Sequence, residues 1–172
     1  ESLPDAVVRR TVAVDLLAAG RCHTLAAAGY DPSRPSVWTL EGLLYYLYED
    51  EVRRLLDTVR SVTAPGSRIA GDLVNAVALT APEMRPLLAV FEALGSPWRY
   101  GCDEPERLLA EYGVDATAAQ PGEPGAHFGR WRDPVPRSDR ASRPAWRAAR
   151  VCGRRAASRA FRVPRARSPQ RL

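Results

Sequence analysis

Pro35-Ser36-Val37-Trp38-Thr39-Leu40-Glu41-Gly42-Leu43-Leu44-Tyr45-Tyr46-Leu47 decides how this chain folds. Residues 36 to 40 make a short apolar run of the kind found in buried parallel strands, and it ends on a carboxylate and a glycine. In an open α/β sheet, ligands lie in the crevice beyond the carboxyl ends of the strands. Glu41 therefore falls where ligand chemistry is expected, and Gly42 lets the backbone turn sharply beside it. Glu49-Asp50-Glu51 then opens a helix, because acids in the first turn offset the positive end of the helix dipole. The order is strand, acid-glycine turn, helix.

Working outward, residues 49 to 63 have a helical period. Val52, Leu55, Leu56, Val59 and Val62 share one stripe, with Arg53, Arg54, Asp57 and Arg60 opposite. Ala64-Pro65-Gly66 stops that helix, and residues 67 to 74 read as the next strand. Thr80 and Glu83 are spaced as a capping box, with Pro82 in the first turn. The helix after them would turn Met84, Leu87, Leu88, Phe91 and Leu94 inward. Residues 104 to 112 make a further short helix, and residues 114 to 119 a weak strand. Upstream, Val12-Ala13-Val14-Asp15-Leu16 is a second β-branched run that ends in an acid. An Ala-rich helix from Leu17 to Gly29 and a turn through Asp31-Pro32-Ser33-Arg34-Pro35 link it to the central strand. Two strands with a helical crossover predict a parallel βαβ unit. The continued alternation predicts an α/β sheet with helices on its faces.

Composition sets further bounds. A chain of 172 residues with 45% hydrophobic content suits one domain with a core. It has no run of 18 apolar residues, so no membrane span is expected. It opens Glu-Ser-Leu-Pro without an initiating Met or a signal pattern, which predicts a fragment or a processed chain. Cys22, Cys102 and Cys152 are widely spaced, which argues against a disulfide framework or zinc site and predicts a cytoplasmic protein without metal. The net charge of +5 averages two unlike stretches. Residues 1 to 129 hold eleven arginines against eighteen acids, whereas residues 130 to 172 hold fourteen arginines against Asp133 and Asp139. Lysine is absent, and leucine disappears between Leu109 and Leu172. Two compositions need two explanations.

Five blocks together resemble the leucine carboxyl methyltransferase family, most closely its bacterial branch of S-adenosylmethionine-dependent methyltransferases. They are Val12-Ala13-Val14-Asp15-Leu16, residues 29 to 35, Glu41-Gly42-Leu43-Leu44-Tyr45-Tyr46-Leu47, Ala64-Pro65-Gly66-Ser67-Arg68 and residues 120 to 130. The resemblance implies a Rossmann-like class I methyltransferase sheet with a reversed last strand. It also implies S-adenosylmethionine as cofactor and a small-molecule methyl acceptor, with transfer to oxygen. The family's N-terminal half carries a glycine-rich turn for the methionine end of the cofactor and an acid for its ribose. This sequence has no Gly-x-Gly, so the sheet is expected to be incomplete and the chain inactive alone.

Three positions carry over from the resemblance as cofactor-binding residues. Asp15 matches the acid that can accept a hydrogen bond from the adenine amino group. Leu16 would pack on the adenine face and offer its backbone N–H to a ring nitrogen. Glu41 matches the acid near the cofactor's cationic end, where a carboxylate offsets positive charge. Without the family match, an acid at a strand end is more often a cap or a solvated turn. Tyr45, Tyr46 and Tyr48 beside Glu41 could face a sulfonium, although packing beneath the next helix is the plainer reading. His23 and His127 stand apart, with no triad or metal-ligand partner. Methyl transfer depends mainly on in-line positioning, so it needs no triad.

Residues 1–130 thus form the expected domain, and residues 131–172 an Arg/Pro/Ala-rich tail expected to be disordered. The abrupt change near Trp131 reads as translation out of frame in a GC-rich gene. The alternative is a nucleic-acid-binding module, in which arginines meet phosphates and Trp131, Trp146 and Phe161 stack on bases.

Overall fold

A computed structural model describes residues 8–18, 20–120 and 123 of the chain, together with the backbone of residues 146–154. Four strands form one sheet in the order β1-β2-β4-β3. These are β1 (Val37–Leu40), β2 (Arg68–Val74), β3 (Val114–Ala119) and β4 (Trp146–Arg154). β1 and β2 are parallel, with Trp38 opposite Ile69 and Leu40 opposite Gly71. β4 runs antiparallel to both β2 and β3. The α/β class is as expected; the reversed strand is present although the tail that supplies it was expected to be disordered and this chain to lack its last strand.

The link from β1 to β2 is α2 (Glu49–Val62), the longest described helix. Glu49, Asp50 and Glu51 fill its first turn, and the Glu51 carboxylate accepts the Tyr48 N–H at 2.8 Å. Its buried stripe is Val52, Leu55, Leu56, Val59 and Val62, the set the spacing predicts. Val52, Leu55, Leu56 and Val59 pack on Leu40, Ile69 and Leu73 from the sheet, and on Leu108, Leu109 and Tyr112 from the segment containing α4 (Pro105–Glu111). Fully burying one such aliphatic side chain contributes about 1.5–3 kcal/mol. An Arg53–Glu111 ion pair at 2.9 Å ties α2 to α4 on the outside. Because both groups are exposed, solvent screens the pair and it adds little to stability.

Helices cover the face that carries Trp38, Leu40, Ile69 and Leu73. The other face is not covered in the same way among the described residues. Val37 stands 71% exposed there, and Thr39 is exposed beside it. A second, smaller cluster gathers at the end of β2 around Val74, Ala78, Tyr45 and Trp98. Leu88 and Phe91 of α3 (Arg85–Ala93) reach it. Leu87 and Leu94, expected on the inner face, are 41% and 70% exposed. The reason is angular: Met84, Leu88 and Phe91 define the stripe that meets the cluster, and Leu87 and Leu94 fall beside it.

Three other expectations are corrected. Residues 12 to 15 form no strand and Leu16 lies in a turn, because no described strand runs alongside to complete a ladder. The expected βαβ unit is therefore present only as its second half, α1 (Arg21–Ala27) leading into β1. The helix is shorter than the Leu17–Gly29 expectation but stops where expected, with Gly29 at φ 93. Thr80 does not cap: Ala81 occupies the N-cap, and no side chain bonds there. The Pro82 ring instead sets a single 3-10 turn, Pro82–Met84, before α3 begins.

The arginine-rich tail also holds a strand. The backbone of Trp146–Arg154 pairs with β2 from Ala70 to Val74 and with β3 from Val114 to Ala119. Backbone groups pair without regard to side-chain identity, and proline is what forbids insertion in mid-sheet. Residues 145 to 163 are the longest proline-free run of the tail, and β4 lies within it. The expected disorder thus does not extend to these nine residues, while the remainder of residues 131–172 lies outside the described residues.

Candidate functional site

The carboxyl ends of β1 and β2 lie side by side, and two turns leave from them. At the end of β1 the chain passes through exposed Glu41 into Gly42, whose φ of 62 is the left-handed conformation that glycine adopts without cost. The Gly42 N–H donates to Asp72 Oδ1 at 2.7 Å. A short, charge-assisted bond of this kind fixes the turn more firmly than a neutral one. Glu41 itself makes no hydrogen bond or ion pair among the described residues, so its carboxylate is available to a ligand. At the end of β2, Asn75 is fully buried, and its side chain accepts the Ala78 N–H at 3.2 Å. The next amide, Ala76 N–H, donates to Asp103 Oδ1 at 2.9 Å.

Tyrosines form one wall. The Tyr45 and Tyr46 rings lie 4.7 Å apart, and Tyr45 meets Trp98 at 4.8 Å. Tyr45 is buried, and its backbone carbonyl accepts the Arg99 N–H at 2.6 Å. Burial first, then the negative charge of Asp72, push its hydroxyl up to about 12. Tyr48 is half exposed, with the Arg99 guanidinium 4.5 Å above its ring. Of the three tyrosines, Tyr45 is thus a packing residue, though it packs in the cluster of Val74, Ala78 and Trp98 rather than beneath the helix that follows it. Tyr48 is already engaged by a cation of the chain itself.

Asp15 and Leu16 occupy a different setting. Asp15 Oδ1 accepts the Leu17 N–H at 2.8 Å, closing a turn ahead of α1, and Leu16 is 40% exposed. Arg21 of α1 bonds the Arg54 carbonyl at 3.3 Å and the Thr58 hydroxyl, which lays α1 against the middle of α2. Among the described residues, no hydrogen bond or ion pair joins Asp15 to Glu41. Asp72, Asn75 and Asp103 were not singled out in the sequence. For Asp72 and Asn75 the available signal was an acid or amide near the end of a strand, as at Glu41; Asp103 lies between α3 and α4, away from any strand end.

Two small apolar gaps lie in the described interior. One of about 30 Å³ lies between Trp38, Leu56, Val59 and Tyr112, and another of about 20 Å³ lies beneath Leu40 and Leu73. A more open hollow of about 580 Å³ lies at the other side of the sheet, beside Glu106, Arg107 and Asp115. None of these is lined by Glu41. No three or more His, Cys, Asp or Glu side chains gather to hold a metal among the described residues. Among the same residues, no helix is long and apolar enough to cross a membrane.

Known proteins bear on this arrangement. Residues 1–60 match the family model described as leucine carboxyl methyltransferase. A Mycolicibacterium vanbaalenii protein named "Putative S-adenosyl-L-methionine-dependent methyltransferase" is 49% identical over 72 residues, covering 42% of this chain and 23% of the relative. A Mycobacterium avium protein of the same name is 40% identical over 112 residues, covering 64% of this chain and 35% of the relative. The chain thus spans between about a quarter and a third of the length of these relatives. A crystal structure of a DUF574 family protein from Streptomyces avermitilis superposes with a TM-score of 0.50 at 14% identity, covering 80% of this chain and 53% of that one. At that identity the likeness concerns the fold alone. The sequence likeness is more direct: the stretch that matches the leucine carboxyl methyltransferase model, residues 1–60, includes Asp15, Leu16 and Glu41.

Proposed function

We propose that this chain is part of an S-adenosylmethionine-dependent methyltransferase acting on an oxygen nucleophile of a small-molecule acceptor. The observation that carries this reading is the state of Glu41. It is an exposed carboxylate without an internal partner, on a glycine turn held rigid by Asp72, at the carboxyl end of a parallel strand. The chemistry of the site fits the cofactor. Glu41 would offset the charge of the ammonium or sulfonium group, Asp15 has one carboxylate oxygen left for an amino donor, and half-exposed Leu16 offers an apolar surface to a flat ring. When bound, the cofactor supplies a methyl group on a cationic sulfur, ready for in-line displacement. The residues described here would orient that group and balance its charge, and orientation is the largest part of what such a transfer requires.

No Gly-x-Gly turn occurs in the sequence to add backbone N–H groups. We therefore expect weak binding by this chain alone, in the millimolar range, and no turnover. Calorimetry or NMR titration with S-adenosylmethionine on the chain and on Glu41→Ala tests the reading. The substitution should weaken binding about tenfold, as loss of one charge-assisted contact does. Equal affinity would remove Glu41 from the site.

A further inference from the structure

The turn that carries Glu41 is built by two residues of β2. Leu40 faces Gly71 across the β1–β2 ladder, and a Cβ on Gly71 would stand 2.9 Å from the Leu40 carbonyl oxygen. The end of β1 therefore sits as close to β2 as it does because position 71 carries no side chain. The next residue, Asp72, takes the Gly42 N–H at 2.7 Å from thirty positions further along the chain. The same device recurs at the end of β2, where Asp103 takes the Ala76 N–H at 2.9 Å. Each strand-end turn is held by a carboxylate from later in the chain.

We propose that Asp72 is the positioning residue for Glu41. By holding the Gly42 N–H, it sets the direction in which the Glu41 carboxylate leaves the end of β1, and it affects a bound cationic group through Glu41. The inference rests on the reading that Glu41 faces the cofactor's positive charge. The competing physical effect is direct attraction between Asp72 and that charge, and asparagine separates the two. Its amide oxygen can accept the same N–H but carries no charge.

The test uses the full 172-residue chain and its variants Glu41→Gln, Asp72→Asn, Asp72→Ala and the double variant Glu41→Gln/Asp72→Ala. Hydrogen exchange at the Gly42 amide reads the turn. NMR titration with S-adenosylmethionine, and with S-adenosylhomocysteine as the probe lacking the sulfonium charge, reads the site. In Asp72→Ala, Gly42 exchange should quicken and S-adenosylmethionine binding weaken, each about tenfold, while Asp72→Asn stays within about threefold of wild type in both. The double variant should bind no more weakly than Glu41→Gln alone, because the two residues act as a unit. Asp72→Asn that keeps Gly42 protected yet binds as weakly as Asp72→Ala would overturn positioning in favour of direct charge. So would an alanine effect that adds in full to that of Glu41→Gln. Should Asp72→Ala fail to fold, the Asp72→Asn comparison still decides. If Glu41→Gln alone leaves S-adenosylmethionine affinity unchanged, the cofactor reading of Glu41 falls and takes this role with it. Unchanged Gly42 exchange in Asp72→Ala, by contrast, would overturn the positioning while leaving that reading intact.

Discussion

Two stretches of this chain look alike in sequence, and the structure treats them differently. Val12-Ala13-Val14-Asp15 and Val37-Trp38-Thr39-Leu40-Glu41 are both short apolar runs that end on an acid. The second is a strand in the sheet, with its last residue, Leu40, buried against α2. The first has no regular structure, alternates between exposed and half-buried positions, and pairs with nothing described. The acids differ accordingly. Asp15 closes a local turn through the Leu17 N–H, whereas Glu41 is left open because Asp72, thirty positions beyond Gly42, does the turn's work. A β-branched run states a preference; a ladder partner makes it a strand.

The largest way to break this comparison is at the core. Leu40→Ala should cost about 2–5 kcal/mol in urea denaturation, since it empties a packed site beneath the sheet. Val14→Ala should stay within about 0.5 kcal/mol, as substitutions away from packed features do. Equal losses would mean that the two runs are structurally equivalent after all. A smaller effect is expected at the ladder itself. In Gly71→Ala the new methyl must push on backbone rather than on a flexible side chain. A cost of about 1–3 kcal/mol should follow, with the Leu40 and Glu41 amide signals displaced, whereas Gly113→Ala, with no atom within 4 Å of its added Cβ, should leave both signals in place.

The smallest effect is one of pH. Tyr45 is held neutral by burial and by Asp72, with its hydroxyl pushed up to about 12 from the ordinary 10. The folded state thus binds its proton more tightly than the unfolded state. That contribution is complete below pH 10 and is lost as pH rises through 12. Relative to Tyr45→Phe, the wild type should lose on the order of 1 kcal/mol by pH 11. A parallel pH dependence in both proteins would place the Tyr45 hydroxyl in water and away from Asp72.

Local pattern carried a large part of the fold. The α2 stripe, the Ala64–Gly66 stop, β2, β3 and the acid-glycine turn after β1 were all legible, because each is settled by periodicity or by one residue's backbone freedom. What could not be read depends on distant partners. Nothing near Asp72 in sequence announces that it meets Gly42, and nothing in Thr80 and Glu83 reveals that Ala81 takes the cap. The strand Trp146–Arg154 escaped for a related reason. Its composition signals solvent, while its place in the sheet is set by the gap between β2 and β3. Of the candidate site, Glu41 was legible from its position at a strand end, and Asp15 and Leu16 from the family resemblance.

The most direct test is an NMR titration of the 172-residue chain with S-adenosylmethionine, following every assigned backbone amide. The largest shifts should fall on Glu41, Gly42 and Leu43 at the end of β1, with a second set at Leu16 and Leu17. Shifts confined to the hollow beside Glu106 and Asp115, or to the arginine-rich residues, with Gly42 unmoved, would contradict the placement of the cofactor at Glu41.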